Sequence, residues 1–295
     1  MNGAGNGGNV GVCFDSKQII KDIHANHEQI SDDQIAHIVS VTALDLLDAR
    51  SKYNSTDPDQ NLFLSTDTES PQEYVKRISN RFQSVVPALS EIINSEFAAL
   101  ESSDKRYYNS GGIDLVYDVG DSHYLDPKKC VIATAIKQSP KGDSTLLEFD
   151  NRLFEHPTHS NQSRNLLFQH ETILHWAQTN FRALTINNGI VKDTTGVRNI
   201  VSVLIQKQLT FQEVIHAVLN TEYKFGGETY DQFYLAGDYR CHLPYPPESG
   251  FLFSTPCKNI AYGLVVLSQG DANSNALAVE QQPGGTVIPP AQNQK

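Results

Sequence analysis

The sequence predicts an α+β fold, mainly helical with a small antiparallel sheet, in a single domain with flexible termini. Three observations lead there. Helix-period and strand-period segments come in blocks rather than in βαβ alternation. The length of 295 residues suffices for one large core. The two ends, residues 1–9 and 269–295, are rich in Gly, Asn, Gln and Pro and poor in large apolar side chains. A globular domain is therefore expected over residues 10–268, between an N-terminal lead and a disordered C-terminal tail.

Val10-Gly11-Val12-Cys13-Phe14 alternates apolar with small residues and predicts a short strand. Ser31-Asp32-Asp33 reads as a helix cap, with Ile35, Ile38, Val41, Leu44 and Leu47 carrying one helix to Lys52. Asp57-Pro58-Asp59 marks a loop. A second helix starts at Ser70-Pro71, with Pro at its first position, and its apolar face runs from Tyr74 to Leu100. Pro87 lies inside that face and should kink or divide it, because its ring clashes with the preceding turn. Ile113–Val119 alternates as a half-buried strand. Cys130–Ile136 and Leu146–Phe149 follow, around a turn at 139–143. Helices are expected again over 164–185, 194–207 and 210–219, and strands over 251–253 and 260–267.

The net charge is −11, from 23 Lys and Arg against 34 Asp and Glu. That excess of acid argues against a general nucleic-acid binder, which needs clustered cations for the phosphates. No apolar run reaches the roughly 18 residues a membrane span needs. The opening residues have neither a basic region nor an apolar stretch of the kind found in export signals. Met1 followed by a Gly- and Asn-rich segment reads as the replacement of a cleaved signal. The expected location is secreted or periplasmic.

The cysteines, Cys13, Cys130, Cys241 and Cys257, form no CxxC pair, so a zinc ribbon is excluded. Cys241 and Cys257 flank a Pro-rich loop, which favours bridging them and leaves Cys13 to pair with Cys130. Four reduced thiols in a cytosolic chain are the alternative.

One segment carries most of the chemistry. His156, His159, His170 and His175 cluster near Glu148, Asp150, Glu155 and Glu171. Within Phe168-Gln169-His170-Glu171-Thr172-Ile173-Leu174-His175-Trp176, His170-Glu171 and His175 spell HExxxH. On a regular helix each residue turns ~100°, so histidines five apart diverge by about 140° and share a metal only across a π-bulge. HExxxH resembles the zinc helix of the dipeptidyl peptidase III family. The resemblance implies zinc held by His170 and His175 with a downstream carboxylate, and Glu171 as general base. Glu213, His216 and Glu222 are the candidates for the third ligand, with Glu213 the first choice. Zinc would lower the pKa of its water to about 7, Glu171 would take the proton, and the hydroxide would attack a carbonyl of a peptide or protein substrate.

A second resemblance spans residues 3–205. Gly5-Asn6-Gly7-Gly8-Asn9, Ala43-Leu44-Asp45-Leu46-Leu47-Asp48-Ala49, Lys129-Cys130-Val131, Leu166-Leu167-Phe168-Gln169-His170-Glu171 and Thr194-Thr195-Gly196-Val197-Arg198 look like exported proteins of unknown function from predatory Gram-negative bacteria. It implies an exported chain, with Cys13 and Cys130 bridged. His170, Glu171 and Arg198 then form a polar constellation, in which Arg198 clamps Glu171 or a substrate carboxylate.

Two functions compete. One is a metal-dependent, peptidase-like hydrolase with Glu171 and Arg198 catalytic and zinc on His170, His175 and Glu213. The other is a non-enzymatic envelope or interaction protein. It follows from His170 sharing its helix face with Leu166, Leu167, Ile173 and Leu174, the setting of a buried structural histidine. The aromatic stretch 223–253 suggests a third, a glycan-binding module.

Overall fold

The computed structural model describes residues 7–26, 30–53, 56–83, 87–108, 125–141, 144–180, 195–210, 213–214 and 217–218. The expected strands at 113–119, 251–253 and 260–267, the Cys241–Cys257 bridge, the aromatic stretch and the C-terminal tail lie outside these residues, as do His216 and Glu222. Within them the fold is the expected α+β.

β1 (Asn9–Phe14) is the predicted first strand, buried along most of its length. It lies in the middle of a three-stranded antiparallel sheet, between β2 (Ile38–Ala43) and β4 (Cys130–Thr134). Cys13 sits directly opposite Cys130, and the two form a disulfide with their Cα atoms 4.0 Å apart. The Phe14 N–H donates to Lys129 O at 2.9 Å beside them, which marks a non-hydrogen-bonded pair, where side chains approach most closely.

The single helix expected over Ser31–Lys52 is three elements: α2 (Asp32–Ile35), β2, and α3 (Leu44–Ser51). Ile35, Ile38, Val41 and Leu44 are spaced by three, which imitates a helix. Ile38-Val39-Ser40-Val41-Thr42 is also β-branched at four of five positions, and such residues fit a pleated surface. Pairing with β1 settles the conflict in favour of the strand.

α1 (Lys17–Asn26) follows β1, and a 3₁₀ turn covers Pro58–Asn61. Pro87 does divide the long helical face: α4 (Pro71–Phe82) ends before it and α5 (Pro87–Glu101) starts on it. α4 begins with a capping box in which Ser70 and Glu73 exchange hydrogen bonds. A second three-stranded sheet follows, ordered β3 (Asp104–Tyr108), β6 (Ser144–Asp150), β5 (Ile136–Lys141). β5 and β6 are antiparallel, whereas β3 runs parallel to β6, so the strands are not all in one antiparallel sheet. β3, Asp-Lys-Arg-Tyr-Tyr, escapes the sequence reading because its hydrophilic residues give no apolar alternation. Tyr107 stacks on Phe149 at 4.6 Å between ring centroids.

α6 (Asn151–Phe154), α7 (Asn161–Asn180) and α8 (Thr195–Leu204) complete the described elements. α7 is the axis of the fold. It packs against α3, α4, α5, α8, β2 and β5. Every side chain from Asn165 to Leu174 is buried. A helix covered on all sides has no wet face, so its polar residues need partners from neighbouring elements. Among the described residues, no helix is long and apolar enough to cross a membrane.

Candidate functional site

The middle of α7 supplies the polar centre. The helix is regular through the HExxxH stretch, so His170 and His175 point to different neighbours. His170 is fully buried, and its Nδ1 lies 2.9 Å from Asp45 Oδ1, on α3. His175 turns the other way. Its Nδ1 lies 2.5 Å from Glu96 Oε2, on α5, and its Nε2 lies 3.1 Å from Thr145 Oγ1, on β6.

Glu171 is also at zero exposure. Its Oε1 accepts from the Gly8 backbone N–H, just ahead of β1. Its Oε2 accepts from Gln138 Nε2 at 2.6 Å, and the same amide nitrogen donates to the Glu171 carbonyl at 2.7 Å. Gly8 is tightly placed: a Cβ there would lie 2.9 Å from Leu167 Cδ2 and 3.2 Å from Glu171 Oε1. Gly7, Gly8 and Asn9, at the end of the expected N-terminal lead, are therefore buried against the core.

Burial pushes the Glu171 carboxyl up to about 7, against the pull of the His170 charge and its two hydrogen bonds. Burial alone would lower His170, but the charge and hydrogen bond of Asp45, with Glu171 beside it, outweigh that and raise it. A buried carboxyl next to a buried Asp–His pair is thus held by groups from the N-terminal segment, α3 and β5.

Arg198, on α8, is buried, and its Nε lies 3.0 Å from Asp48 Oδ2 rather than clamping Glu171. It acts on the centre at longer range, since its charge lowers His170. Glu213 is exposed. It accepts from the Thr210 N–H at 3.0 Å and the Thr210 hydroxyl at 2.7 Å, while Thr210 Oγ1 accepts from the Glu213 N–H at 3.3 Å. That is a reciprocal helix cap.

The loop histidines have structural work too. His159 is buried, with Nδ1 3.1 Å from the carbonyls of Leu153 and Phe154 and Nε2 2.9 Å from Ser163 Oγ. Burial pushes it down to about 4. His156 closes a turn with Thr158. The nearby carboxylates are engaged elsewhere: Glu148 with Tyr108, Asp150 with Arg152, Glu155 with Arg164.

The structure therefore brings His170 and Glu171 into one centre with Asp45, Gln138 and Gly8, and places His175 and Glu213 elsewhere. Among the described residues, no group of three or more His, Cys, Asp or Glu is placed to hold a metal ion. Asp45, Gln138 and Gly8 were absent from the sequence-based site. A lone Asp within Leu44-Asp45-Leu46-Leu47 is the one signal that could have flagged a buried partner.

Comparison with known proteins adds no relative: no family model, no curated protein and no solved structure matches this chain.

Proposed function

We propose that this chain is an exported, non-enzymatic envelope or interaction protein, in which His170 and Glu171 form a structural polar network. One observation carries the reading. Both carboxylate oxygens of Glu171 are engaged at zero exposure, one by Gly8 and the other by Gln138. A general base needs an oxygen free to meet a water, and a metallopeptidase helix needs two histidines facing one ion. The network instead joins three distant stretches of chain to α7. Export is supported by the Cys13–Cys130 disulfide, since such bridges persist in oxidising compartments.

The test is metal content and its consequence. The purified full chain is expected to carry no stoichiometric zinc, and its thermal midpoint should not move on chelation. About one zinc per chain, with a lower midpoint after its removal, would overturn the reading.

A second reading keeps a specific observation in its favour. The Glu171 carboxyl, at about 7, is in the range of a general base or acid, and it adjoins an Asp–His pair. A metal-dependent hydrolase acting on peptides, with zinc on His170, stays the alternative. It requires hydrolysis of a peptide substrate that Glu171→Gln abolishes while the variant remains folded.

A further inference from the structure

The polar centre leaves several buried atoms without partners among the described residues. His170 Nε2 and Asp45 Oδ2 are the far sides of the ion pair that links α7 to α3. Gln169, the preceding residue on α7, has both ends of its amide unpaired. Gln138 Oε1, beside Glu171, and Asn165 Oδ1, one turn back along α7, are in the same state. Native interiors rarely leave such groups unmet, and the usual remedy is an ordered water.

We propose that the interior around the His170–Asp45 pair is a hydrated site, with ordered water bonded to His170 Nε2 and to Asp45 Oδ2. Water suits both atoms. Nε2 donates when the ring is charged and accepts when it is neutral, and water answers either state; the carboxylate oxygen only accepts, and water donates to it. A metal fits worse, because Glu171, the other carboxylate of the centre, already has its two oxygens on Gly8 and Gln138, and no group of three or more His, Cys, Asp or Glu is placed to hold an ion among the described residues. An organic ligand fits worse still, because His170 and Asp45 are both at zero exposure. Two waters are needed, since Nε2 and the Asp45 side lie on opposite edges of the ring.

The inference rests on the structural reading of the centre but fails separately from it. A dry site would leave that reading intact, whereas stoichiometric zinc would overturn that reading. Oxygen-17 relaxation dispersion on the full chain counts long-lived internal waters. The wild type is expected to contain them, and Asp45→Leu combined with His170→Phe should lose at least one. Removing both partners leaves neither unpaired. An unchanged count in the folded double variant overturns the proposal. Should that variant not fold, cross-relaxation between water and the His170 ring protons in the wild type decides: its presence supports the site, and its absence overturns it.

Discussion

The Gly8 N–H donates to the side chain of Glu171, closing a contact between residues 163 positions apart. The Gly8 carbonyl in turn accepts from Ala135 N at 3.0 Å and Ile136 N at 3.3 Å. One glycine therefore stitches the start of β1 to the central helix and to the β4–β5 junction. It does so with backbone atoms alone, which is why the absence of a side chain matters.

Substitution at Gly7 and at Gly8, both buried, should separate by severity. At Gly8 an added Cβ meets the tip of Leu167, 2.9 Å away, and Gly8→Ala is expected to cost about 1–3 kcal/mol as overpacking. At Gly7 the same atom lies 2.0 Å from the Ile136 carbonyl oxygen, which is backbone of β5 and cannot step aside. Gly7→Ala should cost more. Urea denaturation of both variants checks the order, and equal or reversed costs would contradict this packing.

The disulfide should matter for the whole chain. It closes a loop between residues separated by 117 positions, and a loop that long restricts the unfolded chain strongly. Replacing Cys13 and Cys130 by Ser together is expected to cost ~2–5 kcal/mol. The check is equilibrium unfolding of the double variant beside the wild type with and without reductant. A wild type indifferent to reductant would count against the bridge as a stabilising element.

The apolar run around His170 makes its burial legible from sequence, as does Pro87 as the break between α4 and α5. Two things were not legible. The spacing of Ile35, Ile38, Val41 and Leu44 fits a helix, and only the pairing of Val41 with Val12 selects a strand. The partners of Glu171 come from Gly8 and from Gln138, far along the chain in both directions. Local periodicity assigns a side chain to a face but not to a partner. It also assumes one wet face, which the middle of α7 lacks, so it gives no sign that Glu171 is fully buried.

His159 should report its environment directly. Both carbonyls near Nδ1 are acceptors, so the proton belongs on Nδ1, and Nε2 accepts from Ser163. Ser163 Oγ is then free to accept from the Ala43 N–H at 2.6 Å, which links α7 to the end of β2. Nitrogen-15 shifts should give the Nδ1–H tautomer at neutral pH, with the ring staying neutral down to about pH 4. A ring that titrates near its ordinary value, 6.5, would refute this burial.

The pH dependence of stability tests Glu171 most sharply. Its carboxyl is raised from 4.5 to about 7 in the folded chain. Below 4.5 both states hold the proton. As pH rises from 4.5 to 7 the unfolded chain ionises first, so folding loses stability, by at most roughly 1.4 kcal/mol for each pH unit crossed. His170 acts in the same sense: its pKa is raised on folding, so its contribution is present below 6.5 and lost as pH climbs through the folded value. His159 opposes both, since its lowered value makes its contribution fade as pH falls from 6.5 towards 4. The wild-type curve alone therefore mixes three groups, and the difference from Glu171→Gln isolates one. At pH 5 the variant loses a well-placed acid and sets its amide NH₂ against that of Gln138, for a cost of ~1–3 kcal/mol. By pH 8 the wild type also carries the buried charge that the variant avoids, so the gap should close or reverse. Denaturant unfolding of both proteins at intervals between pH 4.5 and 8 measures it. A gap that stays constant across that range would mean Glu171 does not titrate in the folded interior.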